Sequence, residues 1–165
     1  MPVTMPTVEQ LAALPAYLRK TIPPEYKDAM GHMNIRWYMA LYDDAEWDFF
    51  AAFGLDNDYY QTQHAGGFAL QQFVRYLAEV HIGDTVAVKM RMIERSAKRI
   101  HYIDFMVNET QNVLASTMEV LVTHADLQAR RSAAFPPDIA AKIDAMIAQH
   151  NALEWDAPVS GAIKV

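Results

Sequence analysis

The sequence predicts an α+β fold: an antiparallel sheet set against one long buried helix, with an additional C-terminal helix. Three observations carry that expectation. From Asn34 to Phe53, apolar residues recur at spacings of three and four. After Gly66-Gly67 the period switches to two, interrupted by short turn signals. A second helical period follows Pro136-Pro137. The 165 residues suit a single domain with an ordinary core.

Residues 1–18 are rich in Pro, Thr and Ala and read as a peripheral lead-in. Thr7 and Gln10 have capping-box spacing for a short helix, Val8 to Leu14, which Pro15 stops. Residues 19–26 read as a short edge strand ending at Pro23-Pro24. The long helix has Asn34 as N-cap and Gly54 just past its end. Ile35, Tyr38, Leu41, Tyr42, Ala45, Phe49 and Phe53 define its apolar face, and Trp37, Trp47 and Phe50 widen it. A helix apolar around so much of its girth is buried on several sides. Asp43, Asp44, Glu46 and Asp48 read as its solvated face.

Four strands are expected next: Phe68 to Val80, Thr85 to Glu94, Ile100 to Asn108 and Val113 to His124. The Gly83-Asp84 turn and the other short connections imply an antiparallel meander. The last helix runs to about His150, with Ile139, Ile143, Met146 and Ile147 on one face. The expected single domain is therefore 19–150. The tail 151–165 has no period from Glu154 onward and reads as disordered or as a docking arm.

Composition removes several function classes. With no cysteine, thiol nucleophiles, redox dithiols and thiolate zinc sites are excluded. The formal charge of −6, from 20 acids and 14 bases, argues against a nucleic-acid partner. No apolar run approaches the length of a membrane span, and the first basic residue is Arg19, so a soluble cytoplasmic protein is expected. The serines Ser96, Ser116, Ser132 and Ser160 have no glycine two positions before them, so the nucleophile elbow is absent. The six histidines form no ligand pair at helical spacing, so no metal is expected. His64 stands apart, because it precedes Gly66-Gly67 in a loop able to line a pocket.

The chemistry concentrates in Asp28-Ala29-Met30-Gly31-His32-Met33-Asn34, just before the long helix. Asp28 supplies a carboxylate, Gly31 an unusual backbone geometry, and His32 a donor. The helix start adds unpaired N–H groups suited to an oxyanion. The same loop can equally be a plain strand-to-helix turn, with Asp28 as turn former and Asn34 as cap.

These residues, followed by Tyr38 and the aromatic helix, resemble the hotdog-fold acyl-CoA thioesterases, the 4-hydroxybenzoyl-CoA thioesterase-like superfamily. Asp28, His32 and Asn34 also match spacings of plant-type acyl-carrier-protein thioesterases, with Met30 where those carry Asn. Arg75-Tyr76-Leu77, Glu79 and Gly83-Asp84 are similar to the family's second strand and the turn after it. Arg131-Ser132 with Phe135-Pro136-Pro137 is similar to the close of some bacterial members.

The resemblance implies a hotdog fold, in which the sheet wraps around the helix. It implies hydrolysis of a small-to-medium acyl-CoA by Asp28, as nucleophile or general base, with His32 and Asn34 in support. Gly31, Trp37, Tyr38, His64, Gly67 and Phe68 are the substrate-binding candidates. Arg75, Arg91, Arg95, Lys98 and Arg99 are candidates for CoA phosphates, or part of an ordinary solvated hairpin. No cofactor is implied beyond CoA in the substrate. A homodimer or homotetramer with the site between subunits is implied. The alternatives are a non-catalytic acyl-CoA binding or sensing module, and a hotdog hydratase or dehydratase. The last is disfavoured, since Asp28 and His32 lie four apart with no proline between them.

Overall fold

The computed structural model describes residues 3–165. Its strands are β1 (Ala16–Thr21), β2 (Ala65–Tyr76), β3 (Thr85–Arg95), β4 (Arg99–Asn108), β5 (Val113–Asp126) and β6 (Arg131–Ser132). Its helices are α1 (Val8–Leu11), α2 (Ile35–Ala51), α3 (Asn57–Gln63) and α4 (Pro137–Asn151). The strands form one antiparallel sheet in the order β1-β3-β4-β5-β2, and β6 pairs with β5.

The sheet packs one face on α2. Tyr42, Phe49 and Phe53 of that helical segment are fully buried against Met90, Met92 and Tyr102 of the sheet. The Phe49 ring meets Tyr17, Tyr102 and Phe53 at centroid distances of 5.2, 5.3 and 5.4 Å. Such tilted and edge-on contacts add to the burial of aromatic area. Helix α4 closes the same core with Ile139 and Ile143. His150 near its end accepts from the Met92 N–H through Nδ1 at 2.8 Å. Burial, with Arg91 nearby, lowers the pKa of this imidazole to about 4.

The opposite sheet face carries Ile103, Phe105 and Val107. Leu11 and Leu14 of the lead-in and Trp155 of the tail cover it, and Trp155 meets Phe105 edge-on at 5.7 Å. The tail is thus ordered along the sheet. Ser160 N–H donates to Glu119 Oε2 at 2.6 Å, and the other Glu119 oxygen bonds His101 Nε2 at 2.9 Å. A buried carboxylate satisfied on both sides anchors the tail where no hydrophobic period shows in the sequence.

Several expectations change. The first strand is Ala16–Thr21, and Pro24–Tyr26 is a 3-10 turn, as consecutive prolines favour a turn over a ladder. The first helix stops at Leu11. Helix α3 carries no apolar period in the sequence because it buries no residue; Asp56 caps it, accepting from Tyr59 N–H at 2.8 Å. The meander holds only for β3-β4-β5. Strand β2 lies beside β5, since residues 77–84 cross to the far side of the sheet before β3 begins. The acidic face of α2 is also not uniform: Asp43, Asp44 and Asp48 are exposed, whereas Glu46 is half-buried beneath the helix.

Strand β2 is an edge with most of its residues in solvent, among them Phe68, Leu70, Phe73 and Tyr76. Ile35 and Trp47 on α2 are likewise 62% and 51% exposed. A long apolar edge of this kind is a surface that invites pairing.

Candidate active site

The Asp28 loop is pinned at each step. Asp28 N–H donates to His32 C=O at 2.9 Å, Met33 N–H to Val80 C=O at 2.7 Å, and Asn34 N–H to Tyr26 C=O at 2.8 Å. The Tyr26 ring stacks flat on Trp37 at 3.8 Å, fixing the turn against α2. Gly31 has φ of +104°, which disfavours any side chain, although a Cβ there would meet nothing within 4 Å. Its glycine serves the backbone, not a close approach.

One Asp28 oxygen organises the loop. Oδ1 accepts from the N–H groups of Met30 (2.8 Å), Gly31 (2.9 Å) and His32 (3.3 Å). Desolvation alone would raise the Asp28 pKa, but these three donors and the nearby His32 bring it below the ordinary value. The carboxylate is therefore ionised at neutral pH, held by one oxygen, with no protein donor on Oδ2 among the described residues.

The loop N–H groups are otherwise nearly all used. Asn34 Oδ1 accepts from Arg36 N–H at 3.1 Å, and Asn34 C=O accepts from Trp37 N–H at 2.9 Å. From Met30 to Trp37, only Ile35 N–H has no partner among the described residues. Asn34→Ala is expected to cost about 1 kcal/mol of stability, read from the urea midpoint. An unchanged midpoint would remove the cap from the account.

Asp28, His32, Ile35 and Tyr38 line a cavity of about 430 Å³ whose other wall is Tyr76, Leu77, Ala78 and Glu79. His32 Nε2 lies 3.4 Å from Glu79 Oε1, and His81 Nε2 lies 3.6 Å from the other Glu79 oxygen. Asp84 Oδ2 lies 3.8 Å from His81 Nδ1 and accepts from Asn108 and Gln111, each at 2.7 Å. Glu79 and His81 thus reach the site although sequence reasoning had not placed them in it. No local period marks them; the crossover after β2 brings them there. Among the described residues, no group of His, Asp and Glu side chains could hold a metal ion.

The other expected site residues are dispersed. Trp37 turns away to Tyr26, and Asn34 serves as helix cap. His64 caps α3 in the left-handed region, with φ of 49°. Gly67 lines a second cavity of about 340 Å³ between α2, α3 and β2, and Phe68 lies on a third. Three of the five basic candidates are engaged within the chain. Arg75 donates to Pro158 C=O at 3.0 Å, Arg91 to Trp155 C=O at 2.6 Å, and Arg95 bonds Asp144. Lys98 and Arg99 are exposed at the β3–β4 turn. No helix among the described residues is long and apolar enough to cross a membrane.

The profile of the thioesterase-like superfamily matches residues 22–143, spanning the loop, α2 and strands β2 to β6. The chain belongs to the thioesterase-like superfamily. Among relatives, it is 31% identical over 122 residues to the L-carnitine dehydrogenase/betainyl-CoA thioesterase of Agrobacterium fabrum, covering 74% of this chain and 25% of that one. It is 28% identical over 133 residues to the betainyl-CoA thioesterase of Pseudomonas aeruginosa, covering 79% and 82%. The chain thus spans about a quarter of the bifunctional relative and most of the shorter one. A Staphylococcus aureus protein solved in complex with CoA superposes with a TM-score of 0.81 at 24% identity, covering 92% of this chain and 96% of that one. The 1,4-dihydroxy-2-naphthoyl-CoA thioesterase from Synechocystis superposes at 0.68 with 14% identity, covering 77% and 93%. These likenesses establish that this member of the superfamily has the hotdog fold.

Proposed function

We propose that this chain hydrolyses a small acyl-CoA to the free acid and CoA, with Asp28 as the reacting carboxylate. The observation that carries the reading is the Asp28 carboxylate itself, ionised, fixed through Oδ1 by three backbone N–H groups, lining a cavity, and with Oδ2 unpaired among the described residues. The unpartnered Ile35 N–H beside it is the donor for the thioester oxygen as negative charge develops there. Either Oδ2 attacks the carbonyl carbon, the C–S bond breaks with CoA leaving as thiolate, and water then hydrolyses the mixed anhydride to the free acid and Asp28; or the carboxylate takes a proton from a water that attacks the carbonyl carbon, again expelling CoA thiolate. Glu79 holds the His32 ring at the cavity wall in both routes.

The acyl group of the curated relatives is betainyl, and the same short acyl group is our candidate here. The active unit is a dimer formed through the exposed β2 edge, which covers Phe68, Leu70 and Tyr76.

Hydroxylamine present during turnover tests the route. Hydroxylamine also cleaves thioesters without enzyme, so the readout is hydroxamate above the enzyme-free rate: it is expected from the anhydride, whereas its absence during full thiol release assigns Asp28 as general base. Saturable binding of acyl-CoA without thiol release would make the chain a binding module and overturn the hydrolytic reading.

A further inference from the structure

The cavity between α2, α3 and β2 has a chemistry of its own. Trp47, Phe50 and Tyr60 supply aromatic walls, with the Trp47 and Tyr60 rings edge-on at 6.2 Å. Asp43 and Glu46 supply carboxyl groups, and no basic residue lines it. Gly67 forms part of the wall, where a Cβ would sit 3.4 Å from the Tyr60 hydroxyl and narrow the space. Glu46 Oε1 is buried without a hydrogen-bond partner. Behind it, the fully buried Asp104 has neither oxygen paired. Unpaired buried acceptors beside aromatic faces are the setting in which a quaternary ammonium group binds, since it donates no hydrogen bond and is held by charge and ring quadrupoles.

We propose that this cavity receives the cationic head of a quaternary-ammonium acyl group whose thioester lies at Asp28 of the other protomer. The proposal rests on the thioesterase reading above and names its substrate class. One chain cannot serve both ends. Glu46 lies eleven residues beyond Ile35, about 16 Å along the helix axis, which a two-carbon acyl group does not span. A two-fold axis through the middle of β2 solves this. Strand β2 runs Ala65–Tyr76, so antiparallel pairing on its own copy sets Tyr76, in the Asp28 wall, across from the partner's Ala65 and Gly66, in the Glu46 wall. Each protomer then supplies a carboxylate for the chemistry and an aromatic-acidic cavity for its neighbour.

Protonation of Glu46 follows the same logic. Desolvation raises its pKa to about 7, and Asp43 adds to the rise. Tyr60 of α3 also faces this region, as do Tyr102 and Asp104 of β4, the latter's carboxyl pushed up by burial, and Arg36 lines the adjoining groove. A permanent cation favours the ionised form, so KM for a cationic acyl-CoA falls as pH rises through about 7.

The test compares betainyl-CoA with its uncharged isostere, 3,3-dimethylbutanoyl-CoA, in the wild-type chain and in Glu46→Gln. The expected wild-type kcat/KM favours the cation by about tenfold or more, the scale of a cation–π and charge contact. The α-ammonium also activates the thioester carbonyl, so Glu46 is read from the change in the ratio: Glu46→Gln is expected to lower it by about tenfold, with a smaller drop for the exposed Asp43→Asn. Equal wild-type rates for both esters would overturn the proposal while leaving the thioesterase reading intact. An unchanged ratio in Glu46→Gln would overturn it too, and failure on every acyl-CoA would remove the reading beneath it. Placement in trans is read by mixing Asp28→Asn with Glu46→Gln. Mixed dimers hold one intact composite site, so activity on betainyl-CoA should rise above either variant alone, to about a quarter of wild type for random pairing. No rise on mixing, with mixed dimers confirmed by mass, would overturn the two-chain site.

Discussion

Asp28→Asn is expected to lower kcat for thiol release by about a thousandfold, within the usual range for losing a reacting acid or base. The choice of asparagine matters. Its amide oxygen can still accept from Met30, Gly31 and His32, so the loop geometry survives. What disappears is the negative charge at the cavity wall. Circular dichroism should be unchanged and KM should move little. Because backbone donors and His32 hold the Asp28 pKa below the ordinary carboxylate value, the acid limb of the wild-type kcat profile is also expected below that value. An Asp28→Asn variant with wild-type kcat would remove Asp28 from the chemistry.

Leu70→Lys is expected to separate the dimer and remove most activity without touching the Asp28 loop. Leu70 lies near the middle of β2, is 46% exposed, and sits where the ladder to β5 shifts register between Ala69 and Gln71. A two-fold axis there sets the residue close to its own copy. Two new ammonium groups are then forced together, and like-charge contact at an interface costs several kcal/mol. Edge lysines block strand pairing in natural sheets for the same reason. Light scattering should report the mass of one chain, and kcat/KM should fall by at least about tenfold if each site needs both chains. A single chain with full activity would contradict a site shared between subunits.

Local chemistry explains what the sequence made legible. The long helix was readable because its period, the Asn34 cap and Gly54 all lie within one stretch. The Asp28 loop was readable because Gly31, His32 and Asn34 follow in order, and its three N–H donors come from the next four residues. What was not legible depends on distant partners. Glu46 looked like one more surface acid on α2; its burial depends on Tyr102 and Asp104 of β4. Arg91 and Arg75 looked like free cations for a phosphate; the tail that occupies them has no period of its own. Glu79 and His81 reach His32 only because β2 pairs with β5 and the chain then crosses back.

Release of free CoA thiol by the wild-type chain from betainyl-CoA and from short straight-chain acyl-CoAs tests the central claim most directly. The account predicts many turnovers per chain, with thiol and free acid formed in equal amounts and betainyl-CoA preferred. Acyl-CoA recovered intact across the whole set, from protein that is folded and dimeric, would contradict it.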